Sequence, residues 1–228
     1  MKDKFVFYSK SADNKPGKNK GKGWSENVEN ENKYNKLHEI EDWRKMLSNF
    51  YTSPFILDGK EWNSVEHFFH AIKFRDLKNN KKNKNYDFYK TFSLDSKSPW
   101  CLEPDLSKQA GKAGRISAKG IVYNKQIDGK KIPKDVVLRS DFYKGIDKKA
   151  MTLGFFAKFT QNPILQNALL ETKDAELYHL IIERGKKSHL QLWDHLMIVR
   201  NCIREYKDCY DLKEISKFSS ELIDDILR

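Results

Sequence analysis

Apolar and polar positions recur with two different periods along the chain, and the period assigns the elements. Phe5-Val6-Phe7-Tyr8 is a short apolar run that reads as a first strand. Phe55-Ile56-Leu57 and Lys60-Glu61-Trp62 flank Asp58-Gly59, and Asp-Gly between such runs predicts a hairpin. A helix follows from Asn63 or Ser64, with Val65, Phe69 and Ile72 at i, i+4 and i+7 facing the core. Residues 105–118 are short and helical, and Ile127-Asp128-Gly129-Lys130 offers a second turn before a strand at Val136-Val137-Leu138. Residues 147–160 hold the helical period, with Met151, Phe155 and Phe159 inward. Asn162-Pro163 restarts a helix carrying Leu165, Ala168 and Leu169, since Asn is a good N-cap and Pro suits the first helical position. Leu192, Leu196, Val199 and Ile203 mark another helix over 190–205, and the last residues to Arg228 form an amphipathic one. With no internal repeat, the pattern describes one α+β domain over 1–228, mostly helical with a small antiparallel sheet.

Two stretches fall outside the periods. Residues 9–35 are rich in Lys, Asn, Gly and Glu and read as a flexible loop; 76–97 reads as a polar, exposed insertion. Gly17, Gly21 and Gly23 among lysines suit a phosphate cradle, but no strand-to-helix P-loop frame surrounds them. The net charge of +11 favours a polyanionic partner or substrate. Much of that excess is Lys interleaved with Asn, as in 78–85, which a solvated loop explains equally well. Cys101, Cys202 and Cys209 are scattered and odd in number, which argues against a disulfide frame or a zinc site and for a reducing compartment. No apolar run reaches the length of a membrane helix and the start lacks a signal-peptide core, so a cytoplasmic protein with no membrane partner is expected. No His/Cys/Asp cluster has metal-ligand spacing, and neither metal nor cofactor is expected.

One row on the first long helix does not fit a plain core. Glu66, His70 and Lys73 lie at i, i+4 and i+7, on one line beside the apolar stripe. A purely structural account exists: Glu66 three residues after Asn63 fits a capping box, Glu66 and His70 form a helical pair, and Lys73 faces solvent. Against it, the row sits at the edge of the core, where clefts form. Trp62, Phe50 and Tyr51 make an aromatic wall nearby in sequence, and Ser48 and Asn49 supply short polar groups for sugar hydroxyls. Aromatic walls with a few polar groups suit a nucleoside-like ligand.

The same residues carry a family resemblance. Leu-Ser-Asn-Phe-Tyr at 47–51, the Asp-Gly-Lys-Glu-Trp turn and Val-Glu-His-Phe-Phe-His-Ala-Ile-Lys-Phe at 65–74 resemble the NADAR, or YbiA-like, family. Further matches follow in order: Gly114-Arg115, Arg139-Ser140-Asp141, Met151, the junction from Lys158 to Pro163, and the turn from Leu169 to Leu177. The likeness runs from about Phe5 to Arg204. It departs at His70, where the family often has Gln, at Phe142, where Trp is usual, and in a missing late acidic segment, as in shorter viral and eukaryotic members.

The resemblance implies a YbiA-like fold and N-glycosidic chemistry at ribose C1′. Family members remove ADP-ribose from guanine in nucleic acid or cleave phosphorylated ribosylaminopyrimidine intermediates of riboflavin synthesis. The implied partners are therefore an ADP-ribosyl or phosphorylated ribosyl substrate, including nucleic acid carrying ADP-ribosylated guanine, in a cytoplasm that for a viral protein is the host's. Glu66 is the expected carboxylate at C1′. Lys73 is expected to hold a phosphate, protonate the leaving group or form a Schiff base with the opened ribose. Arg115, Arg139 and Lys158 are candidates for a pyrophosphate, Asp141 for a ribose hydroxyl or an arginine partner, and His179 and Arg184 for a substrate loop. Two other classes stay open: a non-catalytic module binding ADP-ribose or a nucleotide, and a nucleic-acid-binding protein whose Lys/Asn loops carry the affinity.

Overall fold

In chain order the computed structural model runs β1 (Lys4–Phe7), β2 (Lys20–Gly21), β3 (Trp24–Ser25), α1 (Asn35–His38), α2 (Trp43–Met46), β4 (Phe55–Leu57), β5 (Lys60–Trp62), α3 (Val65–Ile72), α4 (Lys84–Lys90), α5 (Pro104–Ala110), β6 (Arg115–Ser117), β7 (Gly120–Val122), β8 (Gln126–Ile127), β9 (Lys130–Lys131), α6 (Ile146–Gln161), α7 (Pro163–Glu171), β10 (Glu176–Ile181), β11 (His189–Leu192), α8 (Asp194–Tyr206), α9 (Leu212–Ile215) and α10 (Ser220–Leu227). It describes residues 2–75, 83–113, 115–117, 120–122, 126–182, 185, 187–206, 208, 211–215 and 220–227. The class is α+β, mostly helical with small sheets. Read from the sequence as one domain, the chain divides into two compact units: residues 1–51 with 159–212, and residues 52–158 with 213–228.

In the first unit β1, β10 and β11 form one sheet. β1 runs parallel to β10, with Lys4 opposite Glu176 and Phe7 opposite His179, and β10 runs antiparallel to β11, with Tyr178 opposite Leu192. This sheet is mixed, because the first strand finds its partner late in the chain; the small antiparallel pairing expected is present in β2–β3, β4–β5, β6–β7 and β8–β9. The helix expected from 190 starts at Asp194. Leu192 ends a strand and is exposed; it keeps helical spacing with Leu196 only by coincidence of count. α2 and α7 pack together, and Phe5 meets Tyr34 and Trp43 edge-on, with ring centres 4.8 and 5.1 Å away. Residues 9–35, expected as a loop, contain β2, β3 and a 3-10 turn, and a buried ion pair ties them to α2. Arg44 donates from Nε and Nη2 to the two Glu26 oxygens at 2.9 and 2.7 Å, and from Nη1 and Nη2 to the carbonyls of Asn14 and Lys15. Glu26 also accepts from the Val6 and Gly17 N–H groups at 2.9 and 3.0 Å.

In the second unit Asp58 and Gly59 both have left-handed backbones, φ 55° and 63°, as do Asp128 and Gly129 at 46° and 76°. Positive φ at both centres is what a two-residue hairpin turn with the right twist needs. The first turn pairs Phe55 with Trp62, and the second joins β8 to β9. On α3 the inward residues are Val65, Phe68 and Ile72, while Phe69 is only half-buried, one step round from the face its spacing suggests. Helix α6 packs close to α3: a Cβ at Gly154 would lie 2.9 Å from Val65 Cγ1. The expected insertion at 76–97 is not exposed throughout. Phe88, Tyr89 and Phe92 are buried, and Phe88 meets Phe74 edge-on at 4.7 Å, since α4 and the turn after it face these three inward among polar neighbours; residues 76–82 lie outside those described. The helix expected over 105–118 stops at Ala110, and residues 136–138 are not a strand: Val136 is buried and Val137 exposed in an irregular segment.

The expected last helix is α10, with Ile223 and Leu227 buried. Its Asp224 accepts from Arg75 Nη1, while Arg75 Nε and Nη2 fork onto Asp58 at 2.7 and 3.1 Å and Tyr89 donates its hydroxyl to Asp58. Removing one partner from a buried ionic cluster leaves charge uncompensated. Asp224→Ala should therefore lower the unfolding free energy by about 2–3 kcal/mol in a denaturant titration. An unchanged midpoint would mean that α10 does not dock through this pair.

Candidate active site

Helix α3 begins after Ser64, whose extended backbone sets the N-cap and whose Oγ lies 2.7 Å from His67 Nδ1. The helical spacing then stacks Glu66, His70 and Lys73 on one line, and all three are buried, at 4%, 5% and 5% exposure. Glu66 Oε1 is 2.8 Å from His70 Nε2, and His70 Nδ1 is 2.8 Å from Lys73 Nζ. The row is thus one hydrogen-bonded chain: carboxylate, imidazole, amine. Its solvent-facing alternative, with Lys73 in water, does not occur. Lys73 Nζ also lies 3.5 Å from the Gly111 carbonyl oxygen and sits 5.2 and 5.4 Å from the ring centres of Phe69 and Phe142, within cation–π range. Phe69 and Phe142 meet edge-on at 5.3 Å. Gly111, just after α5, abuts the imidazole: a Cβ there would lie 2.2 Å from His70 Nδ1 and 2.5 Å from Cγ. Only a glycine lets the backbone approach that ring so closely.

Burial pushes the Glu66 carboxyl up, but His70, Lys108 and Lys73 outweigh it and hold the group below the usual carboxylate range. Burial pulls His70 down further than Glu66 raises it. A neutral imidazole satisfies both bonds: Lys73 donates to Nδ1, and Nε2–H donates to the Glu66 carboxylate. His67 is pulled down to about 4, chiefly by burial. Since its folded pKa lies below its unfolded one, the unfolded chain binds more protons as the pH falls, and stability is lost on acidification. From its usual value near 6.5 to about 4, His67 should cost about 2–3 kcal/mol by about pH 4.5. Thermal melts from about pH 7 to about pH 4.5 should show this loss, and His67→Asn should flatten it.

Other expected site residues divide by place. Arg139 donates its backbone N–H to the Lys73 carbonyl at 3.0 Å, at the end of α3. Its Nε and Nη2 fork onto Asp141 at 2.6 and 2.8 Å, so Asp141 is an arginine partner, held below its usual pKa chiefly by that hydrogen bond. Arg139 Nη1 is buried with no hydrogen-bond partner among the described residues. Lys158, on α6, is fully buried, and burial holds its ammonium well below the usual range. Trp62 is a core residue: its indole N–H donates to the Leu57 carbonyl at 2.8 Å and its ring packs on Phe68. Ser48, Asn49, Phe50, Tyr51 and His179 belong to the first unit. There Ser48 Oγ accepts from the Phe50 N–H at 3.2 Å, and His179 stacks on Phe7 with ring centres 5.2 Å apart. Arg115 lies in β6 with its side chain outside the described set, and Arg184 lies outside the described residues altogether. A cavity of about 250 Å³ in the second unit is lined by Phe88, Thr91 and Trp100 together with Lys84, Lys130 and Lys131; among the described residues no expected site residue lines it.

Sequence reasoning did not single out Phe142 as a wall of the Lys73 pocket, nor Gly111 as the surface against which His70 is set. Neither has a local signal: each reaches α3 from a distant segment.

No protein-family model matches the chain, and no curated protein does. Among solved structures, the NMR structure of the E. coli protein YbiA is similar, at 21% identity and a TM-score of 0.49, covering 73% of this chain and 82% of that one.

Proposed function

We propose that this chain is an N-glycosidase that cleaves the bond between ribose C1′ and a base nitrogen, with ADP-ribosylated guanine or a related phosphorylated ribosyl compound as substrate. The observation that carries the reading is the buried chain from Glu66 through His70 to Lys73. A buried ionic chain is a poor device for stability, because desolvation offsets its Coulomb energy. Perturbed acids and bases held together at a core edge are instead what a reacting centre requires. The ordered resemblance of 47–51, 65–74 and the later motifs to the NADAR family supports the same chemistry and supplies the substrate class.

Cleavage moves the C1′–N electron pair onto the base and leaves positive charge on C1′ and O4′. The Glu66 carboxylate stabilises that charge. Lys73 has two roles consistent with its place: it adds to C1′ as the base leaves, after which the ribose opens to a Schiff base that water hydrolyses, or it offers a proton or a phosphate contact while water adds to C1′. The Phe69 and Phe142 rings give its ammonium a partly apolar setting. Arg139, whose backbone N–H meets the end of α3, carries in its buried Nη1 a donor suited to a phosphate oxygen. The net charge of +11 agrees with a polyanionic substrate.

The test is incubation with an oligonucleotide carrying ADP-ribosylated guanine, with chromatography for free ADP-ribose. Release by the native chain and none by heat-inactivated protein supports the reading. Protection from thermal unfolding by ADP-ribose with no product from any ribosyl substrate would make the chain a binding module.

A further inference from the structure

We propose that His70 is a proton relay whose imidazole passes a proton from Lys73 to Glu66 without taking on net charge. The inference deepens the glycosidase reading and rests on it only for what the resulting amine and acid are used for.

A relay of this kind needs one ring with a hydrogen bond at each nitrogen, a donor on one side, an acceptor on the other, and little freedom to turn. His70 meets each condition. Nδ1 faces Lys73 Nζ and Nε2 faces Glu66 Oε1, both at 2.8 Å. Gly111 lies against the ring at Cβ, Cγ and Nδ1, so rotation about the side chain meets backbone. Burial slows exchange of the two ends with bulk water. The charged groups acting on the ring are Glu66 and Lys73 on α3 and Lys108 on α5, with His67 neutral beside them.

The step balances. A Lys73 Nζ–H bond breaks as Nδ1–H forms on the ring. The Nε2–H bond breaks as Oε1–H forms on Glu66. The ammonium becomes a neutral amine with a free electron pair, the carboxylate becomes a carboxylic acid, and the imidazole has exchanged tautomers. Proton count and net charge are unchanged, and no outside base is used. One event thus arms a nucleophile and an acid together. The arrangement answers a difficulty of the buried row. A lysine bonded to a neutral imidazole rests as an ammonium and cannot attack carbon, while an isolated carboxylate cannot protonate a leaving base.

His70→Gln separates relay from scaffold. The amide N–H₂ can donate to Glu66 and its oxygen can accept from Lys73, so both bonds have successors, yet a carboxamide does not pass a proton through. Although the resembling family often has Gln at this place, this chain sets Lys73 on an imidazole, and turnover should fall about 100-fold with KM unchanged. The residual rate should climb with pH as Lys73 deprotonates to solvent, whereas the native rate stays level over the same range. Equal turnover by the two proteins would overturn the relay.

A second readout is free of substrate. Each protein is treated with glycolaldehyde and cyanoborohydride at neutral pH, and alkylation at Lys73 is followed by peptide mass spectrometry. The native chain should be labelled there about tenfold faster than His70→Gln, because its amine can shed a proton inward. Equal rates overturn the proposal. Unequal rates in a native chain that turns over no ribosyl substrate uphold the relay and reject the glycosidase. If His70→Gln fails to fold, nitrogen NMR on the native chain decides. A singly protonated His70 at neutral pH upholds the relay, and a doubly protonated one, unable to accept from Lys73, ends it.

Discussion

Glu66→Gln is expected to cut release of ADP-ribose from modified guanine by about a thousandfold or more, the range for loss of an acid–base or charge-stabilising group. The substitution keeps volume and shape. The new amide oxygen can still accept from His70 Nε2–H, so the helix keeps its local bond. What goes is the negative charge, which His70, Lys108 and Lys73 favour by holding this carboxyl below its usual range. That charge is what a developing cation at C1′ would meet. Single-turnover rates should collapse while KM for the modified oligonucleotide moves little, and the thermal midpoint should stay within a few degrees. A variant with native turnover on a confirmed substrate would remove Glu66 from the chemistry, whatever its structural part.

The row itself was legible because helical arithmetic is local: residues at i, i+4 and i+7 share a face in any α-helix. Its burial was not. That depends on Phe142 and Gly111, which approach α3 from segments the periodicity of residues 63–74 says nothing about. Asp141 came through as an arginine partner because a fork between residues two apart is a local contact. Trp62 misled in the other direction. It looked like part of a ligand wall by proximity to Phe50 and Tyr51, but it pairs opposite Phe55 in the hairpin and shares that residue's buried face. Hairpin register, once Asp58-Gly59 is read as a two-residue turn, already carries that information.

The fold shows the same divide. The Asp-Gly turns, α6, the Asn162-Pro163 restart and the apolar face of α8 from Leu196 onward follow from short-range chemistry and stand where the sequence put them. The mixed sheet does not follow from it, because β1 and β10 come from opposite ends of the chain and β10 and β11 lack a Gly-rich two-residue turn between them. Residues 9–35 escaped for a related reason. Their order rests largely on distant carboxylates: Glu26 gathers the Arg44 guanidinium and three backbone N–H groups, and Asp3 accepts from the Glu29 N–H and the Tyr34 hydroxyl. Long-range acceptors of this kind leave no period in the sequence.

Lys73→Met should abolish turnover as completely as Glu66→Gln, and the way it fails identifies what the amine does. Methionine retains most of the unbranched stem between Phe69 and Phe142 and removes the donor to His70 Nδ1. The imidazole and Glu66 remain bonded, so the helix should fold, with a stability loss of about 1–2 kcal/mol for the broken hydrogen bond. If Lys73 attacks C1′, borohydride added during turnover should fix a ribosyl adduct on the native chain at this residue. Lys73→Arg should then be as dead as Lys73→Met, since a guanidinium does not form the imine. If the ammonium only holds a phosphate or donates a proton, no adduct should form, and Lys73→Arg should keep part of the rate because the charge is kept. Peptide mapping after reduction separates the two outcomes. A native rate in Lys73→Met, with the substrate confirmed, would contradict both roles, because among the described residues no other amine is hydrogen-bonded to this imidazole.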